Sequence, residues 1–245
     1  MRIVTLQIPM RPFKAIFFDL DDTLCDWQSA RVYGIESAHR VVSPYYPQIT
    51  ISHWKETFYS VSEAMFHEWS QFTRPSSELR LERTKRIFAQ LGIDGHSPLA
   101  DRATEAFYQD AIEALQLFDD VNDVLSTLRA NHILGIITNT LADVQRIKIK
   151  KLGLSEKIDH VLIASEVGFS KPSPEIFHRA LEMAQVPARE FLFVGNSLED
   201  DVAGARAAGV SVAWINRQGA RLPETYRPDF VIRSLRDLLS IVNSI

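Results

Sequence analysis

Residues 15–18 read Ala-Ile-Phe-Phe, an apolar run that stops abruptly at Asp19. A run this short, with no polar alternation and a charge at its end, fits a strand buried on both faces. Four further runs share its character: Ile133–Ile137, Val161–Ala164, Phe191–Val194 and Val210–Ile215. Helical patterns separate them. Asp120–Arg129 carries Val121, Val124, Leu125 and Leu128 at helical spacing. Pro174–Met183 opens with proline in its first turn and sets Ile176, Phe177, Ala180 and Leu181 on one face. Asp201–Ala208 is short and alanine-rich, and Gly209 is placed to end it. Buried strands alternating with helices predict a parallel sheet covered by helices on both faces, an α/β architecture.

The alternation breaks from about Trp27 to Leu115. No strand-like run bounded by turns occurs there. Gln28–Val42, His53–Trp69, Glu78–Leu91 and Asp101–Leu115 instead carry apolar residues at mixed three and four spacing, punctuated by Pro44, Pro47, Pro75, Gly92, Gly95 and Pro98. The pattern predicts an all-helical domain inserted between the first strand and the rest of the sheet.

Composition narrows the function. With a net charge of −4 and no block of like charge, the chain lacks the basic footprint of a nucleic-acid binder. Its one cysteine, Cys25, excludes an internal disulfide and argues against a cysteine-based zinc site, so a cytoplasmic setting is expected. No apolar run reaches the roughly 18 residues of a membrane span. Met1–Phe13 does not read as a signal peptide, because its apolar part is short, contains Gln7 and precedes no small-residue cleavage site. Met10 precedes the compact part of the chain, so the first nine residues read as an extension or a misassigned start.

Four strand ends or loops carry residues suited to one chemistry. The first strand ends in Asp19-Leu20-Asp21-Asp22-Thr23, and open parallel sheets bind ligands beyond the carboxyl ends of their strands. One carboxylate there can attack phosphorus to form an acyl phosphate. A second can protonate the leaving oxygen and then deprotonate water. Mg²⁺, which takes oxygen ligands, would relieve the repulsion between these acids and a phosphate. A lone Asp-x-Asp more often caps a helix or faces water; placed after a buried strand and before a threonine, the pair favours chemistry. The second strand ends in Thr138-Asn139-Thr140, where a hydroxyl and backbone amides can hold phosphate oxygens, or where the threonine simply caps the next helix. Gly168–Pro174 carries Lys171 between fixed backbone segments, a point charge for phosphate, although most lysines are solvated. The fourth strand runs into Gly195-Asn196-Ser197-Leu198-Glu199-Asp200-Asp201, whose acids can help hold a metal or complement a helix N-terminus.

Taken together, Asp19-Leu20-Asp21-Asp22-Thr23, Thr138-Asn139, Lys171-Pro172 and Gly195-Asn196-Ser197 with Asp201 resemble the haloacid dehalogenase superfamily. The four signatures appear in order, and their combination is far more specific than any one alone. The resemblance implies a Rossmann-like three-layer core formed by residues 1–26 and 116–245, with a helical cap at 27–115 that closes over the site and selects the substrate. It implies a nucleophile at Asp19, a general acid/base at Asp21, and phosphoryl contacts from Thr138, Asn139 and Lys171. It also implies Mg²⁺ held by Asp19, the main-chain carbonyl of Asp21 and an acid of the fourth signature. That signature usually reads Gly-Asp-Ser. Here Asn196 replaces the carboxylate, so Asn196 and Asp201 are the expected metal contacts.

The expected activity is hydrolysis of a small phosphorylated metabolite by a monomer or homodimer. A phosphomutase needs the same two carboxylates and stays open, as does a catalytically weak binding protein, for which Asn196 is the support. Dehalogenases of the superfamily lack the second acid, and Asp21 argues against that chemistry. Lys55 and Lys85 bear no mark of a Schiff-base lysine. Cys25 reads as a small buried group, Trp27, Trp54, Phe58, Phe66 and Trp69 as core more often than pocket, and Arg31, Arg74 and Arg80 as solvated surface more often than anion ligands.

Overall fold

The computed structural model describes residues 13–95 and 98–243, without the side chains of His67 and Asn243; the expected extension at the first nine residues lies outside the described residues. Strand β1 (Ala15–Phe18) is buried at every position. It pairs in parallel with β2 (Ile133–Thr138) on one side and β4 (Phe191–Gly195) on the other. Outside β2 lies β3 (His160–Ile163), and outside β4 lie β5 (Ser211–Ile215) and then β6 (Phe230–Ile232), giving the order β3-β2-β1-β4-β5-β6. The strand order reverses at β1, the position at which open parallel sheets bind their ligands. The Asp19 N–H continues the ladder past β1, donating to the Val194 carbonyl at 2.9 Å.

Each face of the sheet has its own apolar layer. Ile16, Phe18, Leu134, Ile136 and Val194 pack against helix α6 (Val121–Leu128) and the C-terminal helix α11 (Leu235–Asn243). Ala15, Phe17, Ile137 and Phe193 pack against α9 (Pro174–Ala184) and α10 (Gly204–Ala207). Helix α7 (Ala142–Lys151) follows β2, and the short α8 (Ala164–Val167) follows β3.

The chain between β1 and α6 forms α1 (Trp27–Val42), α2 (Ile51–Ala64), α3 (Phe66–Ser70), α4 (Ser76–Gln90) and α5 (Pro98–Ala114). These helices bury Ile35, Trp54, Phe58, Phe88 and Phe107 in a core separate from those of the sheet. At Gly34 an added Cβ would lie 2.5 Å from the Phe107 carbonyl, so glycine lets α1 and α5 approach backbone to backbone. The Asp26 side chain accepts from Ser29 N at 2.9 Å and Thr50 Oγ1 from His53 N at 3.2 Å, starting α1 and α2 with side-chain caps.

Two helices differ from their sequence pattern. His53–Trp69 is divided at Met65, which is fully buried between α2 and α3. The helix expected over Asp201–Ala208 begins earlier, in a π-helical turn over Leu198–Ala203. Ser197 Oγ accepts from Asp200 N at 3.1 Å and starts that turn. Strand β6 has three residues, too few for a period to show. Among the described residues, no helix is long and apolar enough to cross a membrane.

Candidate active site

The carboxyl ends of β1, β2 and β4 bring the four signatures together. Lys171 is their hub: its ammonium lies 2.6 Å from Asp19 Oδ1 and 2.7 Å from Asp201 Oδ1, and its side chain is 2% exposed. Burial pushes the Asp19 carboxyl up to about 7; Lys171 pulls it down, and Asp201 and Asp21 push it further up. Burial disfavours the Lys171 ammonium too, but Asp19 and Asp201 outweigh it and hold that group well above the ordinary lysine value. Two buried carboxylates therefore share one ammonium, and the trio is short of positive charge.

Asp201 is fully buried, and its second oxygen accepts from Ser197 N at 2.9 Å. Gly195 makes room for it, since an added Cβ there would lie 2.3 Å from the Asp201 carboxyl carbon. Although expected at the metal, Asp201 has both oxygens engaged within the chain. Its neighbour Asp200 is half-buried, and its carboxylate has no hydrogen-bond partner among the described residues. Burial pushes it up to about 6, with Lys171 opposing and Asp201 and Glu199 reinforcing the shift. Asn196 Oδ1 accepts from Thr23 Oγ1 at 3.1 Å, joining the first signature to the fourth.

Asn139 is placed differently from its expected phosphate role. Its side-chain amide donates to the Lys171 carbonyl and its Oδ1 accepts from Lys171 N, both at 2.9 Å. The side chain thus fixes the loop that aims the lysine. Thr138 is 1% exposed at the end of β2, and its hydroxyl accepts from Gln145 Nε2 at 2.6 Å.

Asp21 is held from α7. Lys148 Nζ lies 2.9 and 2.8 Å from its two oxygens, and Gln145 Nε2 lies 3.1 Å from Oδ2. The Lys148 ammonium also sits 3.3 Å from the Trp27 ring centroid. Gln145 Oε1 is buried without a hydrogen-bond partner. Sequence reasoning missed both residues because 146–151 resembles a solvated basic run. A signal was present: Leu141, Val144, Gln145, Lys148 and Ile149 form one helical stripe, and two of its members are polar. Asp22 adopts φ 62°, which aspartate tolerates, and its side chain accepts from Gln28 N at 2.7 Å. Cys25 is buried. Lys55 pairs with Glu36 at 2.7 Å.

A six-stranded parallel sheet, a helical insertion after its first strand, and a lysine joining two acids at the strand ends define a hydrolase of the haloacid dehalogenase type. The haloacid dehalogenase-like hydrolase family model matches residues 13–209, and the chain belongs to that family. It is 28% identical over 224 residues to pyrimidine 5'-nucleotidase YjjG of Escherichia coli (strain K12), covering 91% of this chain and 95% of that one. It is 30% identical to 2-haloacid dehalogenase from Pseudomonas syringae pv. Tomato DC3000, whose crystal structure superposes with a TM-score of 0.73 over 95% of this chain and 99% of that one. The magnesium-bound structure of YfnB from Bacillus subtilis gives a TM-score of 0.76 at 23% identity, over 95% of this chain and all of that one. The last likeness shows the fold.

Proposed function

We propose that this hydrolase is a Mg²⁺-dependent phosphatase of small phosphorylated metabolites, acting through a phospho-aspartate on Asp19. The observation that carries the reading is a second carboxylate, Asp21, held by Lys148 and Gln145 in the same signature as the Lys171-paired Asp19. Displacement of halide from carbon calls for a nucleophile alone. Phosphate transfer calls for an acid as well, to protonate the departing oxygen. The nucleotidase relative supports the phosphatase side, and Asp21 weighs against the chemistry of the dehalogenase neighbour.

Asp19 attacks phosphorus, the bond to the leaving oxygen breaks, and Asp21, entering this step as the protonated carboxyl, gives that oxygen its proton. Asp21 then takes a proton from water, the hydroxide attacks the phosphoryl group, and inorganic phosphate leaves with Asp19 restored. Lys171 steadies Asp19 and meets the phosphoryl charge, while Thr138 lines the end of β2. The donors suit Mg²⁺: among the described residues no cluster of three or more His, Cys, Asp or Glu forms a metal site, but Asp19, the Asp21 carbonyl, Asn196 and the unpartnered Asp200 offer hard oxygen ligands. We assign Asp200 to the ion, with Asp201 serving as the counter-charge of Lys171. When bound, the ion would supply positive charge to an acid-rich, buried site, offsetting the repulsion between its carboxylates and a phosphate dianion. Magnesium in the YfnB structure agrees with this choice, and the insertion takes the part of a cap that controls access.

The test is turnover of an aryl phosphate with and without Mg²⁺, alongside Asp19→Asn and Asp21→Asn. Asp19→Asn should abolish turnover, and Asp21→Asn should reduce it by ~10²–10⁴-fold. Wild-type rates in both variants would refute the mechanism.

A further inference from the structure

The helical insertion contains a cation that no acid among the described residues neutralises. Arg83, on α4, is 5% exposed, and its guanidinium carbon lies 4.4 Å from the Phe58 ring centroid, 4.5 Å from Phe107, 5.2 Å from Trp69 and 5.4 Å from Tyr108. Its one hydrogen bond among the described residues runs from Nη2 to the Tyr108 hydroxyl at 3.2 Å, and its Nε is buried and unpartnered. Burial pushes the guanidinium down, Tyr108 offsets part of this, and the neighbouring Arg31 and Arg80 push it down further. Cation–π contact and one phenol compensate a buried charge only in part.

Other donors around it are also unsatisfied. Trp69 Nε1, on one of the rings facing Arg83, is buried without an acceptor. So is Arg31 Nε, whose guanidinium stacks 5.2 Å from the Tyr59 ring centroid. Ser62 Oγ is the third; it lies one turn beyond Phe58 and Tyr59 on the same helix. Buried polar groups are normally paired, so four buried donors of one helical insertion left without an acceptor call for an anion. The cluster lies toward the catalytic end of the sheet. Arg31 acts electrostatically on Asp22 of the first signature. Arg80, 5.0 Å from the Tyr108 ring, reaches α7 with a 2.8 Å ion pair to Asp143.

We propose that Arg83, with Trp69 Nε1, Ser62 Oγ and Arg31, forms an anion subsite that receives a carboxylate on the leaving group of the substrate. The proposal rests on the phosphatase reading above and narrows its substrate class to phosphomonoesters bearing a second, carboxylate charge. The ligand is a carboxylate because the unpartnered Nε edge of Arg83 offers a planar fork to a planar anion. The aromatic walls exclude water from the pair, which makes the contact strong and selective. Arg80 already has its acid, and Arg74 is close to Glu68 and Glu78. Arg83 is therefore the specificity-determining residue, although it lies on the apolar side of its helix among Leu79, Thr84, Ile87 and Phe88.

The test compares two esters that differ at one group, glycerol 3-phosphate and 3-phosphoglycerate, binding to the full-length Asp19→Asn protein and followed by tryptophan fluorescence or calorimetry. The carboxylate ester should bind at least tenfold more tightly. Adding Arg83→Met should erase that preference, and Arg83→Lys should retain part of it. Trp69→Phe, which keeps a ring and removes the N–H, should lower the preference ~3-fold and serves if the Arg83 variants fail to fold. Equal affinity for the two esters, or a preference that survives both Arg83→Met and Trp69→Phe, overturns the subsite. The phosphatase reading fails separately, by absence of Mg²⁺-dependent turnover of an aryl phosphate in the wild type, and the binding comparison is decided whatever that result is.

Discussion

The Lys148 ammonium lies 2.8 Å from Asp21 Oδ2 and 3.3 Å from the centroid of the Trp27 ring. A core helix and the first residue of the insertion thus hold one cation, and that cation holds the second carboxylate of the first signature. The Lys148 side chain is 2% exposed, so it has no other role at the surface.

Lys148→Met should lower kcat on the order of 10–100-fold with a smaller change in KM, because a general acid that loses its orientation loses rate more than affinity. Lys148→Arg should recover part of the loss by keeping the charge. Steady-state kinetics of the three proteins on an aryl phosphate checks this. A variant with wild-type kcat would leave Lys148 a packing residue.

Asn196 and Asp200 should move the magnesium requirement in opposite directions. Two unit charges ~4 Å apart interact by ~4 kcal/mol at an effective dielectric of about 20, and repulsion among the neighbouring acids offsets much of this. Asn196→Asp should reach half-maximal activity at about tenfold lower Mg²⁺, and Asp200→Asn should need more than the wild type. Titration of Mg²⁺ against rate decides; unchanged requirements in both would place neither residue at the ion.

Asp120 ties the start of α11 and, through Arg217, the chain after β5 to the loop of the first signature. Its carboxylate is 1% exposed and accepts from Arg217 Nη1 and Nη2 at 3.0 Å, Ser234 Oγ at 2.7 Å and Leu235 N at 2.8 Å. Arg217 Nη2 also donates to the Thr23 carbonyl at 3.0 Å. Burial opposes the charge, but these donors outweigh it and hold the carboxyl below the ordinary aspartate value. Because the folded value is the lower one, the stabilisation is present above about pH 4 and is lost as pH falls through the folded value. Asp120→Asn should cost about 3 kcal/mol at neutral pH, and the gap from wild type should narrow on acidification. Urea unfolding at pH 7 and pH 3 measures both; a gap that widened in acid would contradict the sign.

Thr140 adopts φ 76° beside the second signature. A β-branched residue is strained there by about 1–3 kcal/mol, and glycine would relieve the strain at the cost of a more flexible unfolded chain. Thr140→Gly should raise stability by about 1 kcal/mol, measured by thermal or urea unfolding. A loss of stability would show that the Thr140 side chain contributes more than its backbone costs.

The apolar runs and their terminal acids carry most of the architecture. Ala15–Phe18 ends at Asp19 because a buried strand tolerates no charge until it reaches its carboxyl end, and the helical spacing between Trp27 and Leu115 marks the insertion by its own local pattern. These are local patterns, so the sequence alone contains them, and the four signatures in order supply Asp19, Asp21, Thr138 and Lys171. Which charges meet is a different matter. Asp201 closes on Lys171 and Asp200 stays open through the π-helical turn that Ser197 starts, a rotation that adjacent acidic residues do not reveal. Lys148 and Arg83 each occupy the buried stripe of a helix, Lys148 beside Val144, Gln145 and Ile149 and Arg83 beside Leu79, Thr84 and Ile87, where the pattern signals an anomaly without naming its partner. Tertiary packing supplies the answer, because a buried charge is stabilised by the group across the interface: Asp21 for Lys148, and for Arg83 a set of aromatic rings with no acid among them.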